Sequence, residues 1–100
     1  VEFEWDERKS EANLRKHGVA FPQAVSVLEA DESAITVFDE ASSDEDRYTT
    51  VGSDALGRLL VVFYTVRGER VRIISARRAN KLENARSTSN ERYEAALRFQ

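Results

Sequence analysis

Arg70-Val-Arg-Ile-Ile-Ser-Ala-Arg-Arg78 is the stretch whose reading decides the fold. Val71, Ile73 and Ile74 are β-branched, so it reads as a strand. It also carries four guanidiniums, Arg70, Arg72, Arg77 and Arg78, within nine positions. A strand that packs a core and displays that many cations needs an anion nearby, either a neighbouring carboxylate or a ligand phosphate. Upstream, Arg58-Leu-Leu-Val-Val-Phe-Tyr-Thr65 is a largely apolar strand, of the kind buried on both faces. Between the two, Arg67-Gly68 fits a two-residue hairpin loop. That loop sets Val66 opposite Glu69, Tyr64 opposite Val71, Phe63 opposite Arg72 and Arg58 opposite Arg77. Like charges facing each other on a sheet are destabilising. Arg58 and Arg77 therefore require an acid such as Glu45 or Asp46, or a phosphate, between them. Regular alternation puts Arg77 with Val71, Ile73 and Ser75 on one face, and Arg70, Arg72 and Arg78 on the other.

Working outward, Phe3-Glu-Trp5 is a short edge strand. Asp6 caps a helix over residues 7–16, and Gly18 stops it. Ser10, Leu14 and His17 fall on one side of that helix, with Lys9, Asn13 and Lys16 as an adjacent polar stripe. Phe21, Ala24, Val25 and Leu28 give the spacing of a second helix packed on a core, opened by Pro22 in its first turn. Residues 34–38 and 47–51 read as strands. Residues 39–46 read as an acidic loop without the glycine and ligand spacing of a calcium site, and 52–57 as a turn. Asn80 and Glu83 open a C-terminal helix that breaks near Ser87 and restarts at Thr88, with Tyr93, Ala96 and Leu97 as its packing side. The order β-α-α-β-β-β-β-α predicts an α+β fold: an antiparallel sheet with two N-terminal helices and a C-terminal helix packed on it.

One hundred residues suit a single domain, residues 1–100. No apolar run is long enough to cross a bilayer, and Val-Glu-Phe-Glu-Trp-Asp lacks the regions of a signal peptide, so a cytoplasmic protein is expected. Zero cysteines exclude a disulfide framework and a thiol nucleophile, and with one histidine no structural zinc site is expected. The net charge of −3 hides a division. Residues 1–46 carry 13 acidic and 4 basic side chains, and residues 47–100 carry 5 acidic and 11 basic, ten of them arginine. The acidic half folding against the basic half explains part of this. Arginine's planar fork suits phosphate equally well. The overall negative charge argues against tight, indiscriminate binding of long RNA.

His17 has the one side chain whose ordinary titration range lies near neutrality. Beside Leu14 it reads as a partly buried structural residue or as a catalyst. No glycine-rich phosphate loop, nucleophile triad or HExxH motif is present. What remains is an arginine-rich sheet with Tyr48, Tyr64, Lys16 and His17 as candidate proton carriers. That set suits RNA cleavage without a metal, by attack of a ribose 2′-OH on its own 3′-phosphate.

The ordered motifs Phe3-Glu-Trp-Asp6 with Lys9 and Asn13, Lys16-His-Gly-Val19, Glu45-Asp-Arg47, Gly57-Arg-Leu-Leu-Val-Val62 and Arg72-Ile-Ile-Ser-Ala-Arg-Arg-Ala79 with Glu83 resemble the BrnT toxins. These are small ribonucleases of bacterial type II toxin–antitoxin systems with a RelE-like fold, and the resemblance runs from residue 3 to about 86. It implies a metal-independent endoribonuclease that inhibits growth and needs no cofactor. It also implies neutralisation by a BrnA-like antitoxin with a ribbon-helix-helix domain, in a two-plus-two complex that meets DNA only through the antitoxin. By motif position it points to Lys16, His17, Arg47, Arg77 and Arg78 as catalytic and to Arg58 and Arg72 as RNA or phosphate ligands. Ser87 departs from the family, which usually has a tyrosine there; Tyr93 replaces it only if the last helix is rearranged. The alternative is a non-catalytic module whose arginine face binds RNA or the antitoxin as a co-repressor. On this reading the end of the strand at Arg77 and Arg78 is the site edge, and Arg70 beside the turn is surface charge.

Overall fold

A computed structural model describes residues 1–39 and 46–80. The order is β1 (Glu2–Glu4), α1 (Glu7–His17), α2 (Phe21–Ala30), β2 (Ile35–Asp39), β3 (Asp46–Ser53), β4 (Leu59–Arg67) and β5 (Arg70–Arg78). The expected C-terminal helix lies outside the described residues, as does most of the expected acidic loop. The sheet runs β1-β5-β4-β3-β2. It is mixed rather than antiparallel, because β1 pairs parallel with β5. The short turns dictate antiparallel neighbours only for β2 to β5. β1 returns to the sheet through both helices and is free to run the other way.

Local signals explain most boundaries. The Asp6 carboxylate accepts from the backbone N–H groups of Arg8 (2.8 Å) and Lys9 (3.3 Å), closing the α1 N-terminus. Gly18 ends α1 in the left-handed region and donates to the Leu14 carbonyl. Ala20 has no side chain to cap α2, but the Gln23 side chain accepts from its N–H at 2.8 Å.

Both helices lie against one face of the sheet. There Val19, Phe21, Ala24 and Val27 pack on Leu60, Val62, Tyr64, Ile73 and Ala76. Each such fully buried aliphatic or aromatic side chain contributes about 1.5–3 kcal/mol. The opposite face carries a smaller apolar cluster of Val51 and Val61 with Ile35, Leu59 and Phe63. In α1 the packing side differs from expectation. Leu14 is half exposed, and the buried residues are Ser10 and Asn13.

The β4–β5 hairpin corrects the predicted register. Its loop is Gly68-Glu69, one residue later than expected, so Arg67 faces Arg70. Gly68, with φ 58°, supplies the first central position of a type II′ turn. A bulge follows: Tyr64 faces Ile73 and Phe63 faces Ser75, leaving Ile74 without a partner. The two changes together move β5 along β4, so Arg77 faces Val61 and not Arg58. The bulge also reverses the alternation. Arg70, Arg72, Ser75 and Arg77 share the face opposite α1 and α2, while Val71, Ile73, Ala76 and Arg78 share the face on which those helices lie.

Gly52 holds β3 tight against the end of α2. A Cβ there would stand 2.8 Å from the Ala34 Cβ, 2.8 Å from Asp31 Oδ2 and 2.9 Å from Val27 Cγ1. Asp31 cannot retreat, since that oxygen accepts from Ser53 N at 2.7 Å and its partner oxygen from Ser33 N at 2.9 Å. Glycine to alanine in a strand interior normally gains about 0.5–1 kcal/mol. Gly52→Ala is expected to do the reverse and cost about 1–3 kcal/mol by overpacking, read from urea unfolding midpoints. An unchanged midpoint would refute the tight packing.

Candidate active site

The predicted residues fall into two groups. Arg77 and Arg78 close β5 and Arg58 stands just before β4; Arg58 reaches the Gly18 carbonyl just past the last turn of α1, which carries Lys16 and His17. Arg47 and Arg72 lie elsewhere, on the sheet face opposite α1 and α2, on either side of Thr65.

Asn13 builds the first group. β1 pairs only with residues 70–72, so the later part of β5 has no strand on its outer edge. Asn13 takes that place. Its Nδ2 donates to the carbonyl of Ala76 and to that of Val19, both at 2.7 Å, and its Oδ1 accepts from Ala76 N at 3.3 Å. The side-chain amide thus pairs with Ala76 as a strand residue would, and pins α1 to the sheet edge. His17 follows about one helical turn later, on the way to the Arg77–Arg78 end. It is half-buried and Lys16 is exposed.

Arg58 closes this end. Its Nε donates to Asp54 Oδ2 at 2.9 Å, and its Nη2 makes a charge contact with the same oxygen at 2.9 Å. Its Nη1 donates to the Gly18 carbonyl at 3.0 Å, a cation on the C-terminal end of α1. The acid beside Arg58 is therefore Asp54 rather than the expected Asp46, and Glu45 lies outside the described residues. Asp54 is buried and also accepts from Leu56 N and Arg58 N.

The tyrosines lie on the helix face, away from Arg47 and Arg72. Tyr64 stacks on Tyr48 with centroids 5.6 Å apart, and its hydroxyl is hydrogen-bonded to Thr50 at 2.8 Å. Thr50 is bonded in turn to Thr36 at 2.7 Å. A groove of about 590 Å³ opens beside them, lined by Phe3, Val27, Leu28, Val66 and Val71 and by no arginine. Arg70 meets Glu2 at 3.6 Å and Glu4 at 3.9 Å, as surface charge does. Among the described residues no three His, Asp or Glu side chains converge as a metal site requires.

Sequence reasoning missed Asn13 and Asp54 as organising residues. Asp54 had a signal in its spacing, an acid four residues before Arg58 across a glycine turn. Asn13 had none, because its partner Ala76 is distant in the chain.

The family profile described as "Ribonuclease toxin, BrnT, of type II toxin-antitoxin system" matches residues 5–83. The chain belongs to the BrnT family. It is also similar to the 1.1 Å crystal structure of the Brucella abortus ribonuclease toxin BrnT, with a TM-score of 0.61 and 25% sequence identity. That match covers 81% of this chain and all of the Brucella chain. No curated protein matches. As a BrnT-family ribonuclease toxin of a type II system, the chain has RNA as its substrate class and an antitoxin as its partner. Among the described residues no helix is long and apolar enough to cross a membrane.

Proposed function

We propose that this BrnT-family chain is an endoribonuclease that cuts RNA without a metal ion, in the cytoplasm, by attack of a ribose 2′-OH on the adjacent 3′-phosphodiester. The 2′-oxygen forms a bond to phosphorus and the bond to the 5′-oxygen breaks. A base takes the 2′-OH proton and an acid returns one to the leaving oxygen. The products are a 2′,3′-cyclic phosphate and a 5′-hydroxyl. The observation that carries this reading is the bulge at Ile74. It turns Arg77 onto the face that also holds Arg47 and Arg72, next to Arg78 at the end of β5. Fixed guanidiniums of that kind stabilise the charge that develops on the phosphorane oxygens. Arg47, Arg72 and Arg77 are assigned to phosphate, and Lys16, His17 and Arg78 to the proton transfers and the leaving oxygen. Arg58, given its bonds to Asp54 and Gly18, is assigned to holding α1 in place. The antitoxin that silences the enzyme carries a ribbon-helix-helix domain, joins the toxin two-plus-two, and makes the DNA contacts of the complex.

The test is purified protein incubated with RNA in excess chelator. Cleavage is expected, with cyclic phosphate ends. Arg77→Ala is expected to retain its circular dichroism spectrum and lose roughly a hundredfold in cleavage rate. No cleavage at any protein concentration, alongside normal antitoxin binding, would move the chain to the non-catalytic reading.

A further inference from the structure

One row of the sheet runs in pairing register on the face opposite α1 and α2: Arg47, Thr65, Arg72 and Glu4, with Asp39 the backbone partner of Arg47. Its centre is unusual. Thr65 is 1% exposed, and its Oγ1 is buried with no hydrogen-bond partner among the described residues. A buried hydroxyl left unsatisfied costs about 1–3 kcal/mol, so such groups are rare without a reason. Among the described residues Arg47 and Arg72 make no ion pair, and Glu4, the register neighbour of Arg72, meets Arg70 instead. Adjacent strands lie about 4.8 Å apart, which puts the two arginine backbones roughly 10 Å apart with only the short Thr65 between them. Side chains of arginine's length can meet above it. Two cations with no ion pair among the described residues thus flank, in register, one buried hydroxyl with no hydrogen-bond partner among them.

We infer that Arg47, Thr65 and Arg72 form a phosphate-binding notch, in which the Thr65 hydroxyl donates to a non-bridging oxygen of an RNA phosphodiester held between the two guanidiniums. This rests on the ribonuclease reading for its ligand, and adds a residue to which no role has been given. The same hydroxyl explains why a threonine, and not the isosteric valine, occupies the middle of an otherwise apolar stretch of β4. Valine would satisfy the fold better and the ligand worse.

The experiment compares the full chain with Thr65→Val and Thr65→Ser. Inorganic phosphate is titrated while the arginine Nε–Hε resonances are followed by NMR. Binding of a short RNA carrying a single 2′-deoxy block is measured in parallel. In the native chain, phosphate is expected to shift the Arg47 and Arg72 signals together and saturably. Thr65→Val is expected to fold at least as stably, yet to bind phosphate and the blocked RNA about tenfold more weakly, the value of one charge-assisted hydrogen bond. Thr65→Ser is expected to restore most of the affinity. Equal affinity of Thr65→Val and the native chain overturns the notch, and does so even if the native chain cleaves RNA. Conversely, phosphate binding that depends on Thr65 in a chain that never cleaves leaves the notch standing and removes the ribonuclease reading.

Discussion

Asn13→Leu is expected to lose about 3–4 kcal/mol of folding stability, close to half of what a small domain has. Leucine nearly matches asparagine in shape, so the loss is not one of volume. It comes from three backbone groups that Asn13 alone serves: the carbonyls of Val19 and Ala76 and the N–H of Ala76. Val19 and Ala76 are fully buried, so water cannot take over. Each orphaned group costs about 1–3 kcal/mol, offset in part by the desolvation that leucine no longer pays. Asn13→Asp is expected to be worse than leucine, because a carboxylate would face two carbonyl oxygens with nothing to donate. Chemical unfolding gives the loss, and amide exchange locates it: Ala76 N–H should exchange faster than its neighbours across β4. A loss below about 1 kcal/mol would show that β5 does not need its edge covered. Activity should fall with it, since the same amide holds the helix that carries Lys16 and His17.

The helices and strands were legible in the sequence because each has local punctuation. Asp6 and Gly18 bracket α1, Pro22 opens α2, and Gly68 turns the β4–β5 hairpin. The two-sided sheet was not legible, because pairing depends on one residue at a loop and one at a bulge. Moving the loop by a residue and inserting Ile74 sent Arg77 from a supposed clash with Arg58 to a place beside Val61, on the same face as Arg72. Nothing in Arg-Ile-Ile-Ser-Ala-Arg marks the bulge; Ile73 and Ile74 are equally β-branched, and only the surrounding core selects which one pairs. β1 was read as an edge strand, which it is, but its direction is set by the path through two helices and not by its own three residues. For the candidate site, the residue types were readable and their grouping was not. The division into an end cluster and a mid-sheet row follows from register alone.

Asp54→Ala is expected to cost about 3 kcal/mol and to impair cleavage from a distance. Asp54 is fully buried at its side chain, and Arg58 keeps 19% exposure. Removing one partner of a buried pair typically costs about 3–5 kcal/mol because the other charge is stranded. Partial access to water puts this case at the low end. The carboxylate also anchors the turn, accepting from Leu56 N at 3.0 Å and Arg58 N at 2.8 Å, so the strand entry loosens too. Freed from Asp54, the Arg58 guanidinium can leave the Gly18 carbonyl, and the C-terminal end of α1 loses its cation. Lys16 and His17 sit on that last turn. The expected signature is therefore a drop in cleavage rate larger than any drop in RNA affinity, because the phosphate contacts proposed for Arg47 and Arg72 lie on the other face and stay intact. A double-mutant cycle separates the pair from the turn. Arg58→Leu in the Asp54→Ala background should recover part of the loss, with a coupling of about 2 kcal/mol, since no charge is then stranded. Additive losses would mean that Asp54 acts through the turn alone. Equal losses in rate and affinity would mean that the end cluster and the mid-sheet row are not separate parts of the site.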